Sequence, residues 1–433
     1  MLTEVGGPRA VEDRVLIRKV VTGTTLGQVV EWFDWAVYGT FAPYFAAQFF
    51  PSDSPTASLL STFAVFAVSF VARPLGGVLF GRLADRLGRR PAFTFALLLM
   101  AAGMALIMVT PGYATIGWVA PVLLVVARIM QGLSAGGEMP ASTAFLTELV
   151  GAGRRGFHAS FLFVGIGVGT LLATTSGAVL TGVLSDEQLT SWGWRLPFAL
   201  GVVVALLGWW LRRNLPETPV YEARREQLTA RASSGERSGI LRGQLRPILT
   251  VLFISSGGTV AFYTFSVSAP ARLNGSLGLD PGQVFTALSV ALLLYTVQMP
   301  LWGWLSDRWG RRPLIITGAL GTALVGVPLV AGLRGEFAGD TVRLCVAVSL
   351  LAMFTATGSA VMAELFPARA RAQGIGLTYA IATAVFGGTA PYLGTWLDDK
   401  GVPLVFSVWV GLLCAATALT AYLMPETARK ELR

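Results

Sequence analysis

The stretch Gly81-Arg82-Leu83-Ala84-Asp85-Arg86-Leu87-Gly88-Arg89-Arg90-Pro91 returns almost unchanged as Gly303-Trp304-Leu305-Ser306-Asp307-Arg308-Trp309-Gly310-Arg311-Arg312-Pro313. Each copy is a basic turn between two long apolar segments. Two further landmarks recur at nearly the same offset: Glu148, Leu149 and Arg155 against Glu364, Leu365 and Arg371, and Pro216-Glu217-Thr218 against Pro425-Glu426-Thr427. Three matched landmarks in one order mean two homologous halves. The solvent of those halves follows from composition: 54% of residues are hydrophobic and 13% charged, where soluble domains carry about a quarter charged residues.

A helix needs about 20 apolar residues to cross the hydrocarbon. Twelve such segments fit, at about 22–49, 57–80, 92–110, 116–147, 158–183, 195–211, 247–271, 283–305, 314–332, 342–364, 373–396 and 403–424. Nothing alternates in the manner of a membrane β-barrel strand, so unpaired backbone groups are avoided by helices. The expected fold is an all-α integral membrane protein, with twelve transmembrane helices in two pseudo-symmetric six-helix bundles. The boundaries predict an amino-terminal arm (1–21), a first bundle (22–211), a polar linker (212–246), a second bundle (247–424) and a tail (425–433).

The net charge of +9 could suggest nucleic acid, but its distribution points to a membrane. Of 33 basic residues, only Arg195, Arg272, Arg334, Arg343 and Lys400 fall on one set of loops; Arg73 and Arg128 lie inside segments, and the rest fall on the other set. The positive-inside rule makes that richer side cytoplasmic, with both termini on it. Residues 1–21 mix acidic with basic side chains and hold no apolar core, so they do not read as a cleaved signal. Cys345 and Cys414 lie in separate predicted helices and suit packing better than a disulfide or metal pair.

Helix 1 carries the costliest residues. Glu31, Asp34, Trp35 and Tyr38 recur at three- and four-residue steps and share one face. Asp34 sits about 18 Å inside the expected helix start. Intramembrane carboxylates cost about 2.5–3.5 kcal/mol even on lenient scales, and they mark proton or ion pathways unless they form a static packing pair. Glu31 and Asp34 are therefore candidates for proton coupling, as is Glu138 in helix 4. Arg128 and Arg73 are the countercharges. Arg128 cannot shed its proton and must pair with a carboxylate, a substrate anion, or each in turn. Gly132 and Gly136 on its face permit close approach of a neighbouring helix. Arg73 lies about 12 Å along its helix from Gly81, so it can equally snorkel to the interface. Trp35, Tyr38, Gln131, Tyr263, Tyr295 and Tyr379 complete the candidate solute site. His158, at the mouth of helix 5, reads as interfacial packing before proton relay.

In the repeated turn, Gly81 and Gly88 allow a tight backbone, Asp85 can cap the next helix, and Arg86, Arg89 and Arg90 can hold carbonyl ends of neighbouring helices. Asp307, Arg308, Gly310, Arg311 and Arg312 form the second copy. The doubled Gly-x-x-x-Asp-Arg-x-Gly-Arg-Arg motif, with Arg128-x-x-x-Gly132, resembles the major facilitator superfamily. Glu31-Trp32-Phe33-Asp34, Arg73-Pro74-Leu75-Gly76-Gly77, Gln131 to Glu138, Trp192-Gly193-Trp194-Arg195 and Phe386 to Pro391 resemble its metabolite:proton symporters, over residues 22–427. Met139-Pro140 departs from that pattern beside the expected cavity.

The resemblance implies a multi-pass protein of the bacterial cell membrane that takes up a solute with protons by alternating access. In it the repeated turns brace the cytoplasmic side. The family carries 2-oxoglutarate, citrate, other dicarboxylates, shikimate, and proline or betaine. The paired arginines favour a small organic anion, a mono- or dicarboxylate, since arginine binds carboxylate bidentately. A zwitterion such as betaine or proline is the alternative, with Trp32, Trp35 and Tyr38 offering cation–π faces. The nine residues after Met424 leave no room for the coiled coil of osmosensing relatives. Helix 5 holds Gly165, Gly167 and Gly169 but lacks the Gly-Pro step of the superfamily's antiporters, which argues against an exporter. An enzyme would need clustered His, Cys or carboxylates, which are missing. The expected partners are a small solute, protons and lipid, with no cofactor, no metal and no nucleic acid; a monomer is expected.

Overall fold

The computed structural model describes residues 8–87, 89–213, 243–368 and 370–432. Among them no strand occurs, and the helices run as twelve rods. These are α1 (Pro8–Phe49), α2 (Pro55–Leu87), α3 (Arg89–Val109), α4 (Val119–Ala135 with Glu138–Leu149), α5 (Arg155–Val183) and α6 (Arg195–Arg213). The second half holds α7 (Leu245–Tyr263 with Ala269–Gly275), α8 (Pro281–Trp309), α9 (Arg311–Gly321 with Val327–Ala331), α10 (Phe337–Leu365), α11 (Arg371–Ala382 with Ala390–Asp399) and α12 (Pro403–Leu423).

Two departures from the sequence reading have local causes. The expected arm is helical from Pro8, because nothing between Pro8 and Thr22 breaks a helix and the segment's own start signal is weak. The single helix expected at 116–147 is interrupted at Gly136 and Gly137, so Glu138 opens a new helical piece instead of continuing the first. Predicted linker residues 214–242 lie outside the described residues.

α7, α9 and α11 each carry one wide turn, at Thr264–Ser268, Thr322–Gly326 and Thr383–Gly387. Each opens on a threonine whose Oγ1 donates to the carbonyl four residues back, of Val260, Gly318 and Tyr379. A side chain that competes for the i−4 carbonyl favours such a bulge. In α11 the bulge ends at Gly388, and Pro391 lies in the first turn of the helical piece that follows.

α5 packs along α8, and α2 meets α11, so these helices join the halves. The halves touch at both ends. At one end Phe285 stacks on Phe41 and Tyr44, with ring centroids 5.9 and 6.3 Å apart. The other end, which carries the basic turns, is closed by the ion pairs described below.

Candidate functional site

The close approach of α2 and α4 builds the charged centre. A Cβ added at Gly132 would lie 2.1 Å from the Ser69 carbonyl oxygen, and one at Gly136 would lie 2.0 Å from that of Arg73. Both separations are far inside van der Waals contact, so only glycine lets α2 press this turn onto α4. That contact delivers Ser69 and Arg73 beside Arg128, and α1 brings its acidic face to meet them.

Asp34 Oδ2 lies 3.5 Å from Arg128 Nη1, and Asp34 Oδ1 accepts from Gln131 Nε2 at 2.7 Å. Arg128 also donates to Gln131 Oε1 at 2.8 Å and to Ser69 Oγ at 3.0 Å. Arg73 Nη2 sits 3.1 Å from Glu31 Oε1. Arg73 is only 3% exposed, so it pairs inside the bundle and does not reach an interface. Both guanidiniums lie over the Trp35 indole, Arg73 at 4.1 Å and Arg128 at 4.7 Å from its centroid. Arg128 also covers Tyr38 at 4.3 Å, whose hydroxyl donates to the Thr62 carbonyl. Glu138 is buried where α4 resumes after its break.

Four buried charges in two pairs cost several kcal/mol of desolvation each, and removing one partner typically costs about 3–5 kcal/mol. Their hydrogen bonding is incomplete. Among the described residues, Trp32 Nε1, Trp35 Nε1, Arg73 Nε and Arg128 Nε are buried donors without an acceptor; Glu31 Oε2 lacks a donor, and the Gln28 amide one turn away lacks partners for both its oxygen and its nitrogen. The centre therefore holds more unspent donors than acceptors.

A cavity of about 50 Å³ lies next to this centre, against the second half. Tyr263, Tyr295 and Tyr379 line it, with Trp32, Phe163, Ile166, Ile254, Ser255, Gly258, Thr259, Phe262, Phe354, Thr355, Gly358 and Met362. Arg73, Arg128, Gln131 and Tyr38 do not line it; they sit behind a wall in which Trp32 stacks on Tyr263 and meets Phe262 edge-on. Trp35 lines a smaller neighbouring pocket with Trp32 and Tyr263. The sequence reading gave Trp32 a role only in the zwitterion alternative, and did not place Phe262, Phe354, Thr355 or Met362 in the site. Only the three-residue step from Trp32 to Trp35 signalled any of them.

At the basic end, Asp307 accepts from the Gly156 and Phe157 amides, each at 2.9 Å, and pairs with Arg311 at 3.0 Å. The second-copy aspartate thus caps α5, across the interface between halves, and not the helix that follows it. That following helix, α9, is capped by Glu426, which accepts from the Arg311 and Arg312 amides. Gly310 makes the turn at φ 100°, a conformation that favours glycine. Arg311 holds Glu364 by two nitrogens at 3.0 and 3.3 Å. Arg312 donates to the last carbonyls of α12, at Ala421 and Tyr422. Arg308 lies 3.9 Å over the Trp304 ring.

The other landmarks join this network. Arg371 meets Glu148 at 2.6 Å across the interface, and Arg155 donates to the Lys430 carbonyl at 2.6 Å. Pseudo-symmetry is visible in detail: Arg155 Nε donates to the carbonyl eight residues back, at Thr147, and Arg371 Nε does the same to Ala363. Of the first-copy turn, the side chains of Asp85, Arg86, Arg89 and Arg90, the surroundings of Gly81, and Gly88 altogether lie outside the described residues. His158 is not in the centre; its Nδ1 lies 2.8 Å from the Arg154 carbonyl. Cys414 packs against Gly257 of α7.

Twelve helical rods among the described residues, in two related halves, with charges buried in the first half and a repeated basic turn, define a membrane carrier, and two family models match accordingly. Residues 20–244 match the Sugar (and other) transporter model and residues 251–433 the Major Facilitator Superfamily model. The chain belongs to the major facilitator superfamily; it is a multi-pass membrane transporter and not an enzyme.

Its relatives include the alpha-ketoglutarate permease of Escherichia coli K12, 38% identical over 95% of this chain and 94% of that protein. The citrate-proton symporter of Klebsiella pneumoniae is 34% identical over 93% and 91%. The proline/betaine transporter of Salmonella typhimurium is 29% identical over 99% and 87%. Among solved structures, the proton:xylose symporter XylE with a bound bromodeoxyglucose superposes with a TM-score of 0.77 at 23% identity, over 97% of this chain and 98% of that one. That likeness carries the fold.

Proposed function

We propose that the chain takes up a small organic anion together with protons, and that Arg128 and Arg73 receive its carboxylate. The observation that carries this reading is the surplus of buried, unspent donors around two guanidiniums already matched by Glu31 and Asp34. A solute carboxylate supplies the acceptors that this centre lacks. Relatives named for alpha-ketoglutarate and citrate support the anion class.

In this mechanism an arriving carboxylate draws Arg128 away from Asp34. The abandoned carboxylate is then an uncompensated charge in a dry site, and taking a proton removes it. Solute and proton each strengthen the other's binding, as linkage requires. The closed centre then crosses the membrane without unpaired charge. The basic end faces the cytoplasm in this reading, and the Asp307 network opens to release the solute there.

The test uses proteoliposomes with an imposed proton gradient and labelled solutes. Asp34→Asn is expected to abolish accumulation while retaining solute exchange, and Arg128→Ala to lose binding. The proposal fails if Asp34→Asn, Glu31→Gln and the double variant all still accumulate solute against its gradient.

A further inference from the structure

Resting on the anion reading above, we infer that the solute is a monocarboxylate with an apolar ring for a body, and not a di- or tricarboxylate. The cavity and the charged centre meet at Trp32 and Tyr263, and beyond that boundary the character of the walls changes. Phe163, Ile166, Ile254, Phe354 and Met362 line the cavity, and none of its lining residues carries a charge. Its polar groups are neutral hydroxyls, on Ser255, Thr259, Tyr263, Tyr295, Thr355 and Tyr379, and those of Tyr295 and Thr355 are bonded to one another at 3.1 Å.

Charge balance points the same way. The centre holds two guanidiniums and two carboxylates, already matched. One solute carboxylate is neutralised by one proton taken up by Glu31 or Asp34. A second carboxylate at the far end of the solute meets no cation, only rings, aliphatic side chains and neutral hydroxyls, so no charge there offsets its desolvation. A ring meets partners suited to it. Phe262 stands edge-on to both Trp32 and Tyr263, with centroids 5.5 and 5.9 Å apart, so both faces and edges are offered for edge-to-face contact. The unpartnered Tyr263 hydroxyl and Trp32 Nε1, both buried, sit where the carboxylate joins the ring.

A quaternary ammonium fits less well. At Trp35 it would compete with both guanidiniums, 4.1 and 4.7 Å from that ring, and its positive charge would add to theirs.

The experiment measures the thermal stability of the purified full-length chain in detergent, and uptake into proteoliposomes, with benzoate, cyclohexanecarboxylate, 2-oxoglutarate, citrate and glycine betaine as probes. Benzoate and cyclohexanecarboxylate are expected to raise the melting temperature and to enter with protons, while the di- and tricarboxylates do neither. Phe262→Ala is expected to weaken benzoate binding roughly fivefold, the worth of one ring contact, with smaller loss for acetate. If 2-oxoglutarate or citrate binds and the ring acids do not, the inference is overturned while anion uptake stands. If glycine betaine alone binds, or no carboxylate does, both readings fall.

Discussion

Asp307→Asn isolates the contact that closes the basic end. The carboxylate is 6% exposed and accepts two backbone amides at 2.9 Å from the start of α5, while holding Arg311 at 3.0 Å. Asparagine has nearly the same shape but offers one acceptor oxygen; its amide group turns a donor toward the second backbone N–H. One charge-assisted hydrogen bond is lost outright, worth about 1.5–3 kcal/mol. Arg311 retains Glu364, so the ion pair adds little to the loss. Only the state closed at this end makes the contact, so a penalty of about 1.5–3 kcal/mol shifts the balance toward opening there roughly 12- to 150-fold. A reporter cysteine at Ser160, fully buried in α5, reads that shift in a chain with Cys345 and Cys414 replaced by alanine. Its labelling by a membrane-impermeant maleimide from the basic face is expected to accelerate by at least about tenfold in the variant. Unchanged labelling, with the variant inserted and stable, would refute the assignment of Asp307 as a latch between the halves.

Gly132→Ala and Gly136→Ala are expected to lower thermal stability by at least about 1–3 kcal/mol, because a methyl group there meets a carbonyl oxygen of α2; a melting curve in detergent decides it. At Glu426, burial raises the carboxyl pKa, but the amides of Ala428, Arg311, Arg312 and Thr427 outweigh it and hold the pKa below the ordinary 4.5. A depressed folded-state pKa contributes stability above the ordinary value and loses it as pH falls through the folded one. Stability is therefore expected to fall on acidification below about pH 4.5, and Glu426→Gln to flatten that part of the profile. Cysteines replacing Ser234 in the linker and the exposed Glu431 in the tail are expected to label only from the cytoplasmic side of oriented membranes.

Helix existence was legible because lipid forces it: any long apolar run must pair its own backbone. The break at Gly136 and Gly137 was harder to read, since the same two glycines also mark close packing, and sequence does not separate a helix that is approached from one that is interrupted. A carboxylate partner for Arg128 was legible as well, because a buried guanidinium has few ways to be satisfied; that of Arg73 was not, since its place along the helix allowed it to snorkel to the interface. What the sequence hid was which side of the charged centre opens to the cavity. Trp32 lies one residue from Glu31 and so points about 100° away from it around α1. It meets Tyr263 only because α7 is positioned by contacts distant in the chain. The Asp307 role was hidden for a similar reason. A turn motif announces a cap, but the helix it caps is chosen by how the two halves dock.

The two networks divide the work between the halves. The ionisable centre is assembled wholly from α1, α2 and α4 of the first half, while α7, α8, α10 and α11 of the second half supply most of the cavity wall. On the proposed reading, a solute whose carboxylate lies in one half and whose body lies in the other becomes part of the interface it occupies. Its binding draws the halves together around the centre. The Asp307 and Arg371 contacts resist separation at the basic end by a fixed amount, independent of the solute. Only the first interaction depends on protonation of Glu31 or Asp34, so coupling arises from a solute-dependent bond at the centre acting against a solute-independent latch at one end. An empty carrier with an unprotonated centre gains nothing at the centre and keeps the latch; a loaded and protonated one can lose the latch and still remain joined. That difference is what makes release at the basic end depend on having carried both the solute and the proton.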